Sequence, residues 1–326
     1  ILFLFIAVTL TAQQTTADKP FTLYFIGDAG KESTSGNTLD IVKHYLDQSD
    51  SSSAIVFLGD NIYPVGMPDL NSPGRKNAED AINSQMDIVK DFKGKTIFIP
   101  GNHDWKQGRA EGPDYLQRQE NYIEGYLQKG NVFLPDGGCP GPVEIPLNDQ
   151  AVLIVIDTEW WLFQHDKPGS AECDIQDDAD FILQLKYALL RNKNKQIIVA
   201  AHHPLYSDGI HGSKFPGIFH LFPLTELNSK LWIPMPVIGT AYILLRKNIQ
   251  DVRNPRYQQL KEALTIAFKP YKNLIYVSGH EHNLEFFQKD GQYHIISGAG
   301  SKSAYVRKNG DALFAAAQNG FVQLTL

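Results

Sequence analysis

Five short motifs place aspartate, asparagine or histidine side chains directly after apolar runs of the sequence. Mixed Asp, Asn and His side chains without cysteine suit hard or borderline cations such as Fe, Mn and Zn. More of these side chains are present than one ion needs, which predicts two ions roughly 3.5–4 Å apart that share one carboxylate. The motifs are Gly27-Asp28-Ala29-Gly30, Gly59-Asp60-Asn61-Ile62-Tyr63, Pro100-Gly101-Asn102-His103-Asp104, Ala201-His202-His203-Pro204 and Gly279-His280-Glu281-His282-Asn283.

A pair of ions held in this way has a defined chemistry. It generates hydroxide near neutral pH and holds the attacking and leaving oxygens of an in-line displacement at phosphorus. Each motif alone has an ordinary alternative, since an aspartate can cap a helix and two histidines can form a surface pair. It is the joint pattern, with each motif after an apolar run, that predicts a metal centre.

The apolar runs before and between the motifs are rich in Val, Ile, Phe and Leu and show no clean alternation, which is typical of strands buried on both faces. Ligands bind at the carboxyl ends of strands in open α/β sheets, and the motifs lie at those ends. The predicted strands are Phe21–Ile26, Ala54–Leu58, Thr96–Ile99, Ala151–Ile156, Gln196–Ala200 and Leu274–Ser278.

Helical patterns separate these strands. Asp177 and Asp178 are possible caps of one helix, and Pro255 opens another. Strand and helix alternate, so the fold class is α/β with much parallel pairing. The four apolar faces are Leu39/Val42/Leu46, Ile82/Met86/Val89, Phe181/Leu185/Leu189 and Tyr257/Leu260/Leu264/Phe268.

The five motifs resemble the signature of calcineurin-like metallophosphoesterases. Tyr63, in the second motif, makes the sequence similar to the purple acid phosphatases, and most of all to their short tartrate-resistant type. The resemblance runs from about Phe21 to Gly300. It implies a four-layer α/β/β/α sandwich, in which helices flank two mixed sheets. It also implies an acid phosphatase that hydrolyses phosphomonoesters by attack of a metal-bound hydroxide.

The resemblance assigns metal ligands by motif position. Asp28, Tyr63 and His282 would hold a ferric ion, and Asp60 would bridge it to a second ion. The second ion would be divalent (Fe, Zn or Mn), held by the remaining three ligands, Asn102, His202 and His280.

Three further residues are assigned to catalysis. His103 would face the substrate and assist protonation of the leaving group, and Asp104 would orient His103. His211, in Gly209-Ile210-His211-Gly212, matches a second substrate-facing histidine. His203 stands where the family often has tyrosine, which leaves the adjacent pocket wall undefined.

The phenol of Tyr63 has a physical rationale as a ligand. A free tyrosine has a pKa of about 10, and a trivalent ion would displace its proton and gain an anionic oxygen ligand. A ferric ion acidifies bound water more strongly than a divalent ion, which permits reaction at mildly acid pH. The alternative is that Tyr63 packs beneath its loop.

Two other functions remain open from the sequence. The same site could serve a phosphodiesterase or nucleotidase. A non-catalytic metal-binding module of a larger envelope protein is the third possibility, although the ligands are intact in every motif.

Composition limits the partners. The chain of 326 residues has a formal net charge of −6 and no block of lysine or arginine, which argues against nucleic acid as the main partner. A small phosphorylated substrate is expected. The oligomeric state does not follow from the sequence.

The first residues of the chain suggest an exported protein. Residues 1–12 begin with a ten-residue apolar run that fits a signal-peptide remnant, with a buried first strand as the alternative. Residues 13–20 would be a linker, and residues 21–326 a single domain. The chain could belong to a longer envelope precursor. Periplasmic, cell-envelope or secreted localisation would allow Cys139 and Cys173 to form a disulfide rather than remain as two thiols.

An apolar insertion occupies about residues 213–254. Its segment Phe219–Lys247 is rich in apolar residues, proline and glycine, and is too short and broken to span a membrane. It predicts either a loop packed over the domain edge or a lobe that contacts a membrane or protein partner. Trp160 and Trp161 predict core or rim packing, with substrate stacking as the alternative.

Overall fold

Three apolar runs of the N-terminal third and one strand near residue 326 form a four-stranded sheet. The computed structural model describes residues 20–31, 36–225, 228, 230–245 and 248–326. The predicted signal peptide and almost all of the predicted linker therefore lie outside the described residues. Strands β1 (Thr22–Ile26), β2 (Ser53–Phe57) and β3 (Lys95–Phe98) run parallel, and β11 (Val322–Thr325) pairs antiparallel with β1, giving the order β11-β1-β2-β3.

A second, seven-stranded sheet has the order β10-β8-β9-β7-β6-β5-β4. Strands β5, β6, β7 and β9 are parallel neighbours, whereas β4, β8 and β10 pair antiparallel. The strands are β4 (Val143–Asn148), β5 (Ala151–Val155), β6 (Gln196–Ala200), β7 (Ile275–Ser278), β8 (Leu284–Lys289), β9 (Gln292–Ser297) and β10 (Phe314–Ala316).

Alternation along the buried strands builds the layers. Leu23 and Phe25 of β1 belong to an apolar cluster between the two sheets, together with Leu153 of β5. Tyr24 and Ile26 point the other way and join the cluster that contains the helix faces. The result is two mixed sheets flanked by helices, which confirms the predicted four-layer fold class.

Helices form where the apolar periodicity predicted them. Asp177 caps α5, because its carboxylate accepts hydrogen bonds from the backbone of Ala179 and Asp180. Pro255 opens α8 as expected. The bounds are α1 (Gly36–Asp47), α2 (Arg75–Asp87), α3 (Gly112–Leu127), α4 (Thr158–Leu162), α5 (Asp178–Arg191), α6 (Gly217–Leu221), α7 (Pro236–Leu245) and α8 (Pro255–Phe268).

The apolar insertion folds into two short helices, α6 and α7, that pack against each other. No helix among the described residues is long and apolar enough to cross a bilayer. Trp160 and Trp161, on α4, are 1% and 5% exposed, which supports core packing.

A disulfide joins Cys139 and Cys173, as the sequence allowed. It ties the segment before β4 to the segment before α5. The 34-residue separation makes this a long closed loop, and such a cross-link stabilises the fold chiefly by restricting the unfolded chain.

The buried His294 on β9 makes the stability of the fold depend on pH. Its ring packs edge-on against Tyr206, with centroids 4.7 Å apart, and neither ring nitrogen has a hydrogen-bond partner among the described residues. Burial lowers the pKa of His294 from 6.5 to about 4. Between these values the unfolded chain binds more protons than the folded chain, so the stability present above pH 6.5 is lost as the pH falls.

We therefore expect the His294 contribution to the free energy of unfolding to be roughly 1–1.5 kcal/mol smaller at about pH 5.5 than at about pH 7.5. Urea unfolding of wild type and His294→Phe at both pH values measures the effect. The phenylalanine variant should lose this part of the pH dependence. His44→Phe, at an exposed position on α1, is the matched control and should retain it.

Candidate metal centre

The polar motifs converge at one end of the two sheets. Strands β1, β2 and β3 deliver Asp28, Asp60 and Asn102 from the first sheet, while β6 and β7 deliver His202 and His280 from the second. Backbone hydrogen bonds join the loops within each sheet: the Asp28 amide donates to the Gly59 carbonyl, and the Gly279 amide donates to the His202 carbonyl. The two sheets are joined here by the Gly27 amide, which donates to the Ser297 carbonyl at 2.7 Å.

The backbone at three of the motif residues other than glycine lies in the left-handed region. The φ angles are 58° at Asp28, 53° at Asp60 and 68° at His280. Such conformations cost of order 1–3 kcal/mol for residues other than glycine and persist where the surrounding structure enforces them. Gly101 is required nearby, because a Cβ there would lie 2.4 Å from Asp60 Oδ1.

The first cluster of candidate ligands contains Asp28, Asp60, Tyr63 and His282. The hydroxyl oxygen of Tyr63 lies 2.9 Å from Asp28 Oδ1, 3.0 Å from Asp60 Oδ2 and 3.2 Å from His282 Nε2. Burial, and then the charges of Asp28 and Asp60, hold the pKa of Tyr63 well above its usual value. A cation placed among these oxygens would act in the opposite direction.

The second cluster contains Asp60, Asn102, His202 and His280. Asn102 Oδ1 lies 3.1 Å from His202 Nε2 and 3.1 Å from His280 Nδ1. The two histidine nitrogens are 3.2 Å apart, and His202 Nε2 is 3.5 Å from Asp60 Oδ1. All four residues are buried.

Asp60 lies between the two clusters and presents one carboxylate oxygen to each: Oδ2 faces Tyr63 and Oδ1 faces His202. Burial on its own would raise the pKa of Asp60, but the neighbouring His103 and His202 hold it below its ordinary value. The carboxylate is thus ionised and placed where a bridging ligand would be.

Backbone carbonyls fix the orientation of the two buried imidazoles. His202 Nδ1 donates to the Leu58 carbonyl at 2.7 Å, and His280 Nε2 donates to the Gln250 carbonyl at 2.9 Å. A carbonyl only accepts, so in the neutral form of each ring the nitrogen without a hydrogen is the one directed at the cluster. Metal-binding histidines are held in this manner.

The donor set fits a pair of metal ions. Ligand atoms about 2.1 Å from one ion lie about 3 Å from one another when they meet at right angles, which is the spacing found within both clusters. In the first cluster, two carboxylate oxygens share a single hydroxyl hydrogen. Buried carboxylates in that position gain from a cation.

His103 lies beside the clusters, and its ring is oriented by a different group from the one that the sequence suggested. Its Nδ1 donates to the Pro64 carbonyl at 2.6 Å, and its Nε2 lies 3.8 Å from Asp60 Oδ2. We expected Asp104 to orient this ring. The Asp104 carboxylate instead accepts hydrogen bonds from Gly101, Asn61, Ile62 and Gln119, with distances between 2.8 and 3.2 Å.

Asp104 thereby holds the loops after β2 and β3 in place rather than the substrate-facing histidine. Burial, and then the charge of Asp60, raise its pKa to about 7. The orienting role that the sequence suggested for Asp104 belongs to Pro64, because the short distance between His103 and Asp104 along the chain does not make their side chains meet.

His211 and His203 flank the second cluster. The ring of His211 packs on His280 with centroids 4.1 Å apart, and its Nδ1 lies 3.0 Å from Asp251 Oδ1. Both nitrogens of His203 are engaged, one with Thr158 Oγ1 at 2.8 Å and the other with Gln250 Oε1 at 2.6 Å. His203 therefore supports the cluster without facing it.

Two residues near the site were missed by sequence reasoning. Lys302 places its ammonium group 3.7 Å from the centroid of the Tyr63 ring. It follows the small residues Gly298-Ala299-Gly300 after β9, and a small-residue turn after a strand is a signal that could have found it. Gln250 bonds to His203 and, at 3.0 Å, to the buried Glu159, and nothing in the sequence marks it.

The fold and this arrangement of carboxylates and imidazoles define a metal-dependent phosphoesterase class of protein. A family model described as calcineurin-like phosphoesterase matches residues 21–284. The chain belongs to this family, whose members act on phosphoester bonds and depend on two metal ions. Among curated proteins, no sequence matches the chain.

One solved structure shows the same fold at low sequence identity, and a second is less similar. GAP50, the anchor in the inner membrane complex of Plasmodium, is 20% identical with a TM-score of 0.58, and the match covers 94% of this chain and 81% of that one. A Staphylococcus aureus protein described as a 5′-nucleotidase is 14% identical with a TM-score of 0.46, over 93% of this chain and 54% of that one.

Proposed function

We propose that this chain is a binuclear metal-dependent phosphatase of the acid phosphatase type, which hydrolyses phosphomonoesters. The observation that carries the proposal is the position of Asp60, which offers one oxygen to each of two ligand clusters. A metal pair at this position would acidify a bound water and neutralise charge on the phosphate.

The proposed metals follow from the donors. The cluster of Asp28, Asp60, Tyr63 and His282 combines two carboxylates with a phenol, and anionic oxygens favour Fe(III). The cluster of Asp60, Asn102, His202 and His280 has one carboxylate, an amide and two imidazoles, which suits a divalent ion (Fe, Zn or Mn).

His103 is proposed as the group that gives a proton to the leaving oxygen. Its Nδ1 is committed to the Pro64 carbonyl, so its Nε2 is the nitrogen that faces Asp60 and the site. His211, packed on His280, would contact the phosphate from the opposite side. Neither role requires Asp104 to touch the substrate.

A substrate panel tests the proposal. Purified protein should hydrolyse p-nitrophenyl phosphate faster than bis-p-nitrophenyl phosphate or AMP, and faster at mildly acid pH than at alkaline pH. A preference for the diester or for AMP would favour the phosphodiesterase or nucleotidase instead. No hydrolysis by a metal-loaded sample would favour a non-catalytic module.

Tyr63→Phe tests the proposed iron site. Wild type should show a visible absorbance band from phenolate bound to Fe(III), and Tyr63→Phe should lose that band while retaining its fold. Tyr24→Phe removes a buried phenol elsewhere, on β1, and should leave the band unchanged. A colourless wild type that is fully loaded with metal would contradict the assignment of iron.

Lys302 is proposed to attract the phosphate dianion. Its ammonium lies over Tyr63, and burial lowers its pKa although the charges of Asp28 and Asp60 act to keep it protonated. We expect Lys302→Met to raise the KM for p-nitrophenyl phosphate by about tenfold, equivalent to about 1.4 kcal/mol, with a smaller change in kcat.

Lys302→Arg should retain most of the affinity because it keeps the cation. Lys193→Met, at an exposed position before the amino end of β6, is the matched control for loss of a lysine. If Lys302→Met changes neither KM nor inhibition by inorganic phosphate, Lys302 has no role in binding the substrate.

We also propose that the protein is exported. The disulfide between Cys139 and Cys173 supports this, because such bonds persist in oxidising compartments. Fractionation of the source cells, with the periplasm, envelope and medium assayed separately, tests the proposal. Recovery of the protein in the cytoplasm with both thiols free would contradict it.

A further inference from the structure

The apolar lobe, defined as α6, α7 and the described residues between them, carries a concentrated patch of exposed apolar side chains. Val237 is 80% exposed, Trp232 and Ile238 are each 59% exposed, and Ile233 is 50% exposed. Single exposed apolar residues are ordinary, whereas a contiguous group of them marks an interaction surface.

The lobe is an ordered element rather than an unfolded loop. The Met235 amide donates to the Leu221 carbonyl at 2.7 Å, and the rings of Phe222 and Trp232 meet edge-on with centroids 5.3 Å apart. A Cβ at Gly239 would lie 2.5 Å from the His220 carbonyl oxygen, so glycine permits this close approach of α7 to α6. The apolar patch is therefore held at the surface by internal packing.

The charge of this segment is opposite to that of the chain. Residues 213–247, which contain the lobe and the residues on either side of it, include four basic residues and one acidic residue in the sequence, whereas the whole chain has a net charge of −6. Lys230 is exposed two positions before Trp232. A basic, apolar segment in an acidic protein complements an anionic surface, and each lysine or arginine near such a membrane surface favours binding.

We propose that the apolar lobe docks on an anionic lipid surface. Neither of its helices can span a bilayer: α7 has 10 residues, about 15 Å of helix, where a span needs about 20 residues. A short apolar element with an exposed tryptophan and flanking lysines instead inserts shallowly, with the indole at the level of the headgroups. The proposal does not depend on the proposed phosphatase activity.

The base of the lobe is fixed beside the candidate metal centre. The Val252 amide donates to the His211 carbonyl at 2.9 Å, which closes the insertion, and Gln250 bonds to both His203 and His280. The insertion that contains the lobe is therefore anchored at its C-terminal end beside the candidate metal centre.

Tryptophan fluorescence can report on the lobe alone. Of the four tryptophans, Trp105, Trp160 and Trp161 are at most 5% exposed, and Trp232 is 59% exposed. Residues 1–10 contain an apolar run of their own, so cosedimentation with vesicles would not by itself identify the lobe. Quenching of Trp232 by brominated phosphatidylcholine does identify it.

In the experiment, the full chain is mixed with anionic vesicles made of phosphatidylcholine and phosphatidylglycerol. These vesicles also contain brominated phosphatidylcholine as the quencher. We expect the anionic vesicles to shift the tryptophan emission to the blue and to quench it. Both effects should be weaker at high salt and with vesicles of phosphatidylcholine alone. Val237→Asp should lower the partition coefficient at least about tenfold, since it places a charge where an apolar side chain would enter the lipid. Leu70→Asp, at a position 76% exposed outside the lobe, is the matched control and should bind as wild type does.

Two results would overturn the proposal. One is wild-type emission that is neither shifted nor quenched by anionic vesicles. The other is a protein that self-associates in light scattering, loses this self-association in Val237→Asp, and is not quenched by vesicles. That result would make the lobe a contact between copies of the chain. Lys230→Glu provides a second variant at an exposed position, and it should weaken quenching without altering the apolar patch.

Discussion

Replacing Asp60 with asparagine is expected to abolish metal binding at one or both ion positions and to lower kcat by more than about 100-fold. Loss of a residue that only hydrogen-bonds to a metal ligand costs about 10–100-fold in metal affinity or activity. Loss of Asp60 should cost more, because Asp60 faces both clusters directly. Asparagine keeps the shape and the hydrogen bond that Asp60 Oδ1 accepts from the His103 amide at 2.9 Å. Metal analysis and p-nitrophenyl phosphate hydrolysis, measured on the same samples, test this expectation.

Asp311→Asn is the control for this variant, because its side chain is 74% exposed and lies outside both clusters. It should keep wild-type metal content and rate. An Asp60→Asn protein with a wild-type circular dichroism spectrum, full metal content and normal kcat would rule out Asp60 as the shared ligand.

Replacing His103 with alanine is expected to lower kcat by about 10²–10⁴-fold for alkyl phosphates, which is the range for loss of a positioned general acid. The effect should be much smaller for p-nitrophenyl phosphate, since p-nitrophenolate departs readily without a proton. Metal content should not change, because the Nδ1 of His103 is bonded to Pro64 and its Nε2 lies 3.8 Å from Asp60 Oδ2. Rates with glycerol phosphate and p-nitrophenyl phosphate provide the comparison.

His165→Ala removes an exposed histidine and serves as the control. Equal losses for the two substrates would show that His103 acts on binding or on the fold, and not on the leaving group. Asp104→Asn offers a further contrast. It should chiefly reduce stability, since Asp104 holds the backbone of Asn61 and Gly101 and does not contact His103.

The sequence pattern predicted six of the seven strands that pair in parallel, but it missed β9 and the antiparallel strands of both sheets. The six predicted strands are all present, because a strand buried on both faces needs a continuous apolar run that is visible in the sequence. By contrast, β10 has three residues and β11 alternates between half-buried and exposed positions. Short edge strands acquire their pairing from the neighbouring strand, so their own residues carry little signal.

The same distinction applies to the site. Each candidate ligand directly follows a predicted strand or lies within a few residues of one, so the strand pattern was sufficient to place it at the shared edge. Lys302 and Gln250 depend on contacts between distant segments: Lys302 meets Tyr63, and Gln250 reaches His280 from the end of the insertion. The role of Pro64 in orienting His103 was missed for the same reason, since a backbone carbonyl has no signature in the sequence.

The helices of the insertion were also beyond the sequence pattern. Pro223, Pro234, Pro236 and Gly239 interrupt the segment, and the two predicted alternatives, a loop over the domain edge or a lobe that contacts a partner, specified no helices. Pro236 nevertheless occupies the start of α7, where its fixed φ is compatible with a helix. Gly239 lies within α7 because the His220 carbonyl leaves no space for a side chain. Tertiary packing of α6 on α7 outweighs the low helix propensity of this segment.

The most direct test of the proposed two-metal phosphatase is a titration of metal-free protein with Fe and a divalent metal. The number of bound ions and the rate of p-nitrophenyl phosphate hydrolysis are measured at each point. The account predicts saturation at two ions per chain, with hydrolysis appearing as the second ion binds. Saturation at one ion, or full hydrolysis by the metal-free protein, would contradict it.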